Sequence, residues 1–152
     1  MENTINTALV LAGGLGTRLR PITNITPKPL VKVGKKPIIA HIIDELSRNG
    51  IHNVYVSVGY KADKIINYLE KYKTTARIRF MKEEKPLGTG GAVKLALRKI
   101  HDKDSNIFMI HSDDLFRIGI KRMLSLGWGN KYSSIEAVEK AVDEALLQMG
   151  RI

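Results

Sequence analysis

The stretch TALVLAGGLGTR, from Thr7 to Arg18, joins a short apolar run to a glycine-rich loop. The run Thr7–Ala12 has the length and composition of a parallel strand that is buried on both faces. Glycines directly after such a strand let backbone amides approach a ligand closely, and successive amides can bind an anion. The loop lacks the Gly-Lys-Ser/Thr of a Walker A motif and the spacing of G-x-G-x-x-G. Alone, it fits either an anion-binding loop or a plain glycine turn beside a surface arginine.

Strand and helix patterns alternate from this stretch to residue 115. Strands are predicted at 7–12, 53–60, 76–83 and 106–114. Helices are predicted between them, at 37–50, 62–72 and 88–100, with Pro37 as the first helical residue and Gly50 as the cap. This order predicts an α/β fold, a three-layer α/β/α sandwich with a mainly parallel, Rossmann-like sheet. Ligands bind beyond the carboxyl ends of such strands, where Gly13–Arg18 and Asp113 fall.

Composition narrows the function classes. The 152 residues suit about one domain, 43% of them are hydrophobic, and no apolar run is long enough to span a membrane. The absence of cysteine excludes disulfides and thiolate metal sites, and the polar N-terminus carries no secretory signal, so we expect a cytoplasmic protein. The net charge of +10 favours an anionic partner. Because the basic residues are spread along the chain, a nucleotide phosphate is favoured and nucleic acid is not.

Two cations could bind phosphate oxygens. Arg18 closes the glycine loop, and its guanidinium could bind phosphate in a bidentate manner. Lys28 lies in the segment PKPLV, where Pro27 and Pro29 restrict the backbone on either side of it. This lysine is therefore either a pre-placed point charge or an ordinary solvated side chain in a proline turn.

Two further segments carry candidate ligand contacts. In EEKPLGTGGA, residues 83–92, Glu84 could accept hydrogen bonds from a base edge, and Gly88 leads into a helix N-terminus. The alternative for Glu84 is a charged loop residue. In HSDD, residues 111–114, a continuing strand would point His111 and Asp113 to the same side. Asp113 at a strand end suits Mg²⁺, which takes one or two carboxylates together with phosphate oxygens.

Together these motifs closely resemble the sugar-1-phosphate nucleotidylyltransferases, the NDP-sugar pyrophosphorylases, over about residues 5–115. The resemblance implies that Arg18 and Lys28 neutralise phosphate charge as catalytic residues. It also implies that Asp113 binds the cofactor Mg²⁺, with His111 and Ser112 in place of the family's usual asparagine and glycine. The implied nucleotide-binding residues are Leu11, Ala12, Gly13, Gly14, Gly16, Thr17, Arg18, Glu84, Pro86 and Gly88.

The implied reaction joins two small-molecule partners. A sugar-1-phosphate oxygen attacks the α-phosphorus of a nucleoside triphosphate, and pyrophosphate leaves. Glu84 stands where we expect the family's common glutamine. Because a carboxylate suits the adjacent N–H donors of guanine, GTP is favoured, as in the mannose- and heptose-phosphate guanylyltransferases.

The resemblance weakens after Leu115, where family members normally continue into a sugar-binding half. We therefore predict a truncated nucleotidyltransferase domain at 1–115 and a divergent tail at 116–152 that ends in an amphipathic helix. The tail is weakly similar to the C-terminal end of extended short-chain dehydrogenases and sugar epimerases. The alternative function is a non-catalytic or weakly active nucleotide-binding module that lacks the sugar site. A shortened sheet with an exposed edge also makes a homodimer plausible.

Overall fold

The computed structural model describes residues 5–100 and 107–115, which form six strands and four α-helices. The strands are β1 (Thr7–Ala12), β2 (Lys32–Val33), β3 (Lys36–Pro37), β4 (Asn53–Val58), β5 (Arg77–Lys82) and β6 (Ile107–His111). The helices are α1 (Ile22–Ile25), α2 (Ile38–Arg48), α3 (Ala62–Glu70) and α4 (Gly88–Lys99). Short 3₁₀ turns cover Thr17–Leu19 and Lys28–Leu30. The tail predicted at 116–152, with its terminal helix, lies outside the described residues.

The main sheet has the strand order β5-β4-β1-β6, and all three of its strand pairs are parallel. Strand β1 is central: Val10 is paired with Val56 of β4 and with Ile110 of β6. This confirms the predicted parallel sheet. Within the described residues β6 has one neighbouring strand, so it is an edge, and the homodimer stays a prediction.

Helices cover both faces of this sheet, as the three-layer prediction requires. Along β1, Ala8, Val10 and Ala12 pack in one core with α2 and α3. Leu9 and Leu11 face the other way and pack in a second core with α4. Each fully buried leucine or isoleucine side chain stabilises the fold by roughly 1.5–3 kcal/mol. None of the helices in the described ranges is long and apolar enough to cross a membrane.

The ends of α2 follow its sequence signals with one difference. Pro37 has an extended backbone and is the N-cap, so α2 begins one residue later than predicted. At the other end Gly50 has φ +81°, a conformation that glycine adopts without strain. Its N–H donates to the Ser47 carbonyl at 3.1 Å, and the Ile51 N–H donates to the Leu46 carbonyl at 3.0 Å. These two bonds are those of a Schellman cap, which confirms that Gly50 ends the helix.

A second, antiparallel sheet consists of β2 and β3, which pair in a short hairpin. Its turn contains Gly34 with φ +67°. The sequence analysis did not predict this hairpin, because strands of two residues are too short to show a periodic pattern. The hairpin leads into α2 and lies apart from the main sheet.

Candidate functional site

A cleft opens beyond the carboxyl end of β1, on the side of the sheet that α4 covers. It encloses about 220 Å³, and its walls are Leu11, Gly13, Gly14, Leu15, Glu83, Pro86, Gly88, Thr89, Ala92 and His111. Pockets that hold drug-sized ligands are typically about 300–1,000 Å³. The cleft is therefore smaller than the pockets that enclose drug-sized ligands.

The glycine-rich loop after β1 forms one wall of the cleft and is held from two sides. The Gly13 carbonyl accepts a hydrogen bond from the Tyr60 N–H at 3.3 Å. The Gly16 carbonyl accepts one from Thr23 Oγ1 at 2.7 Å. Gly16 has φ +63°, and a Cβ there would lie 2.9 Å from Thr23 Cγ2, so only glycine fits without strain. Two hydrogen bonds and the close contact of Gly16 with Thr23 thus hold the loop backbone in this conformation.

The carboxylate of Glu83 lines the cleft and contacts three separate segments. Ser57 Oγ donates to Glu83 Oε1 at 2.9 Å, and the Leu87 N–H donates to Glu83 Oε2 at 3.3 Å. A Cβ on Gly13 would lie only 2.5 Å from Oε1, so the carboxylate packs directly against this glycine. Each carboxylate oxygen can accept two hydrogen bonds, which leaves acceptor capacity for a ligand.

Glu84, the predicted base-reading residue, is exposed and lies outside the walls of the cleft. The sequence analysis missed Glu83, although strand alternation could have distinguished the two glutamates. Met81 packs in the α4-side core, and a residue two positions later on an extended chain points to the same side. That residue is Glu83, whereas Glu84 is exposed in the bend that follows the strand.

Lys28 and Asp113, 85 positions apart in the sequence, meet in an ion pair beyond the end of β6. Lys28 Nζ donates to Asp113 Oδ2, and each side chain is about one-third exposed, at 33% and 37%. The hydrogen bond from Lys28 lowers the pKa of Asp113, while burial acts in the opposite direction. Buried Pro29 follows Lys28 in its turn, as expected for a lysine on a restricted backbone.

Asp113 lies in a turn and not in a strand, so the prediction that it shares a strand face with His111 is wrong. Strand β6 ends at His111, which lines the cleft. The Ser112 N–H still donates to the Leu11 carbonyl at 3.0 Å, and the Asp114 N–H turns back to the His111 carbonyl at 3.2 Å. The turn directs Asp113 towards Lys28 instead of into the cleft.

The predicted site residues separate into two groups. Leu11, Gly13, Gly14, Pro86 and Gly88 line the cleft. Ala12, Gly16, Thr17, Arg18 and Glu84 lie outside its walls, and Arg18 is exposed on the 3₁₀ turn after the glycine loop. The cleft and the Lys28–Asp113 pair both lie at the carboxyl ends of the strands.

The acidic residues fit a divalent cation only together with a ligand. Across residues 5–100 and 107–115 no three His, Asp or Glu side chains cluster to hold a metal ion. Mg²⁺ binds one or two carboxylates plus substrate phosphates and keeps several waters. A single carboxylate at Asp113 matches that donor set, provided that a phosphate supplies further oxygens.

Comparison with known proteins places this geometry in a family. Residues 7–139 match the family described as Nucleotidyl transferase, so the match continues past the boundary predicted at 115. The similarity of the tail to dehydrogenases and epimerases has no support beyond the sequence pattern.

Two relatives are sugar-phosphate guanylyltransferases. The mannose-1-phosphate guanyltransferase of Aspergillus oryzae is 42% identical over 108 residues, which are 70% of this chain and 30% of that protein. The D-glycero-alpha-D-manno-heptose 1-phosphate guanylyltransferase of Aneurinibacillus thermoaerophilus is 38% identical over 116 residues, or 76% of this chain and 50% of that protein. The chain therefore spans half the length of these relatives or less.

The fold also matches a solved structure, HddC from Yersinia pseudotuberculosis in complex with GMP-PN. The TM-score is 0.70 at 32% sequence identity, over 81% of this chain and 54% of HddC. The parallel sheet with helices on both faces is common to the two proteins. With the family match over residues 7–139, these similarities show that the chain belongs to the nucleotidyl transferase family.

Proposed function

We propose that this chain binds GTP with a divalent metal ion and transfers the guanylyl group to a sugar-1-phosphate. The observation that carries the proposal is the Glu83 carboxylate in a cleft of about 220 Å³, with the Lys28–Asp113 pair also beyond the strand ends. The relatives named as mannose- and heptose-phosphate guanylyltransferases support the same choice of nucleotide.

Glu83 selects the base through the pattern of hydrogen-bond donors and acceptors on the edge of the base. Guanine presents two adjacent N–H donors, at N1 and at the 2-amino group, and a carboxylate can accept from both. Uracil and thymine place carbonyl oxygens on both sides of their N–H, and these repel a carboxylate. Adenine offers an acceptor nitrogen beside its amino group. A bidentate contact with a matching base discriminates by about 1–3 kcal/mol.

The phosphate end depends on Lys28, Asp113 and Arg18. Lys28 exchanges its contact with Asp113 for phosphate oxygens, and exposed Arg18 binds phosphate beside the glycine loop. A bound divalent ion would neutralise charge on the triphosphate, with Asp113 as its protein ligand. These residues position the substrates and stabilise the charge that builds up during transfer, which is the main requirement of phosphoryl chemistry.

The transfer itself needs no covalent intermediate on the protein. A phosphate oxygen of the sugar-1-phosphate forms a bond to the α-phosphorus of GTP. The bond from that phosphorus to the bridging oxygen breaks, and pyrophosphate leaves with the electron pair. Lys28 and Arg18 hold the triphosphate in place during this in-line displacement.

A second candidate is a nucleotide-binding module without efficient turnover. The stretch that matches the Aspergillus oryzae relative covers 30% of that protein, and the candidate contacts named here all belong to the nucleotide side of the site. The nucleotide side of the site is formed by residues of the described ranges. A sugar-phosphate site would need residues beyond them.

The two candidates differ in what releases pyrophosphate. The purified chain is incubated with Mg²⁺, each of the four NTPs, and mannose-1-phosphate or heptose-1-phosphate. Release that requires both GTP and a sugar phosphate supports transfer, whereas GTP binding without release supports the module. If GTP does not bind, or binds equally well after Arg18→Ala and Lys28→Ala, both candidates are wrong.

A further inference from the structure

Ser57 is a fully buried polar residue in the middle of the parallel sheet. Its exposed fraction is 0%, and it lies on β4 between Leu11 of β1 and Met81 of β5. Tyr55, two positions earlier on the same strand, packs in the α4-side core. Ser57 therefore faces α4, on the side of the sheet where the cleft lies.

The hydroxyl of Ser57 contacts a carboxylate of the cleft rather than the backbone. Its Oγ–H donates to Glu83 Oε1 at 2.9 Å, within the usual range for O–H···O bonds. The other oxygen, Oε2, accepts only a longer bond of 3.3 Å from the Leu87 N–H. The bond from Ser57 is thus the shorter of the two that fix the orientation of the carboxylate.

Gly13 packs against the same carboxylate. A Cβ there would lie 2.5 Å from Oε1 and 3.1 Å from Cδ of Glu83. Together with the hydrogen bonds from Ser57 and Leu87, this contact limits the rotation of the carboxylate, which belongs to a residue of the cleft wall. Two adjacent donors on a ligand can be matched only while this orientation is kept.

We propose that Ser57 is a positioning residue that sets the selectivity of the site for guanine by fixing the orientation of Glu83. This inference rests on the proposed function, in which Glu83 binds the base. Ser57 itself is not among the residues that line the cleft. Without its hydroxyl the Glu83 carboxylate can rotate, and one of its two hydrogen bonds to guanine is lost or lengthened.

The test compares GTP with ITP, which keeps the N1–H of guanine but lacks the 2-amino group. Dissociation constants are measured by calorimetry with Mg²⁺ for the wild-type chain, Ser57→Ala and Ser47→Ala. Ser47→Ala is the control, because Ser47 is a partly buried serine on α2 whose Oγ lies 3.3 Å from Thr74 Oγ1, away from the cleft. Melting temperatures without nucleotide report the structural cost of each change.

We expect the wild-type chain to prefer GTP to ITP by about tenfold or more, as for a hydrogen bond to a charged group. Ser57→Ala lowers this preference by about three- to tenfold, the typical effect of one lost hydrogen bond. Ser47→Ala leaves the preference unchanged. A merely structural role for Ser57 would instead weaken GTP and ITP equally and lower the melting temperature, which would overturn the inference.

Glu83→Gln separates this inference from the function on which it rests. If Glu83→Gln removes the preference for GTP but Ser57→Ala does not change it, Glu83 reads the base and Ser57 has no positioning role. If neither variant changes the preference, or if the wild-type chain shows none, then the base-reading role of Glu83 is wrong and the inference falls with it.

Discussion

The two faces of the parallel sheet differ in their packing and in their polar groups. The alternation of side chains along each strand determines to which face a residue belongs. In β1, β4 and β5 the even-numbered apolar residues pack with α2 and α3, while odd-numbered ones pack with α4. The α2/α3 face is a closed apolar core. Among the described residues the α4 face is covered by α4 alone, and it continues into the cleft, where Ser57 and Glu83 bring polar groups to it. Stability and ligand chemistry are thus largely separated across a single sheet.

The largest expected effect is a loss of stability from a substitution that changes only the α2/α3 face. Leu46, on α2, has an exposed fraction of 0%. Leu46→Ala should lower the free energy of unfolding by about 2–5 kcal/mol, because it removes buried methyl groups and leaves a cavity. Denaturant titration measures this loss. At a temperature where the variant is folded, its preference for GTP over ITP should equal that of the wild-type chain, and a changed preference would show that the faces are coupled.

The next largest effect is expected when the Lys28–Asp113 ion pair beyond the strand ends is removed. Lys28→Met should weaken GTP binding by about 10- to 100-fold, the typical value of a hydrogen bond to a charged group. Lys82→Met is the matched control, because Lys82 is an exposed lysine whose Nζ lies 2.9 Å from Asp63 Oδ1. Calorimetry with Mg²⁺ checks both variants. Equal losses in the two would mean that general positive charge binds the triphosphate, rather than Lys28.

A smaller effect tests how closely the glycine loop holds Glu83. In Gly13→Ala the new Cβ would displace the Glu83 carboxylate, the mobile end of a side chain, so stability should fall by only about 1 kcal/mol. The preference for GTP over ITP should nevertheless fall several-fold. A Cβ on Gly14 would extend into open space, so Gly14→Ala should leave the melting temperature of the nucleotide-free protein nearly unchanged. An unaltered GTP preference in Gly13→Ala would contradict the packing described for Glu83.

The smallest expected effect is a change in the pKa of Tyr72, on the α2/α3 side of the sheet. Burial and the hydrogen bond that its hydroxyl donates to Asp44 at 2.9 Å raise the pKa of Tyr72 to about 12. The folded state holds the proton of the Tyr72 hydroxyl more tightly than the unfolded state does. The stabilisation that this gives the folded state is therefore complete below pH 10 and is lost as the pH rises towards 12. Asp44→Asn should lower the pKa of Tyr72 towards its ordinary value. Ultraviolet titration of tyrosinate measures this, and Tyr72→Phe identifies the late-titrating group.

The architecture could be predicted from the sequence because strands and helices have local patterns. The run Thr7–Ala12 and the apolar stripe of α2 are each recognisable within a few residues. The ion pair between Lys28 and Asp113 has no local pattern, since it depends on β6 lying next to β1 and on a turn that ends β6 at His111. Only the family resemblance assigned Lys28 to phosphate charge and Asp113 to Mg²⁺ in one site.

The choice between Glu83 and Glu84 shows a different limit. Glu83 and Glu84 come directly after β5. Because they are the same residue type, composition does not distinguish them. Side-chain direction depends on the strand continuing without a bulge, which the backbone hydrogen bond of 2.8 Å from the Glu83 N–H to the Val58 carbonyl demonstrates. The contact between the Ser57 hydroxyl and Glu83 depends on the same side-chain direction.

The most direct test of the central claim is a crystal structure of this chain with Mg²⁺ and a non-hydrolysable GTP analogue. We expect both oxygens of the Glu83 carboxylate within about 2.7–3.2 Å of guanine N1 and N2. We also expect Lys28 to have left Asp113 for a phosphate oxygen. A guanine bound by Glu84 or by the backbone alone, with Glu83 turned away from it, would show that Glu83 does not select the base.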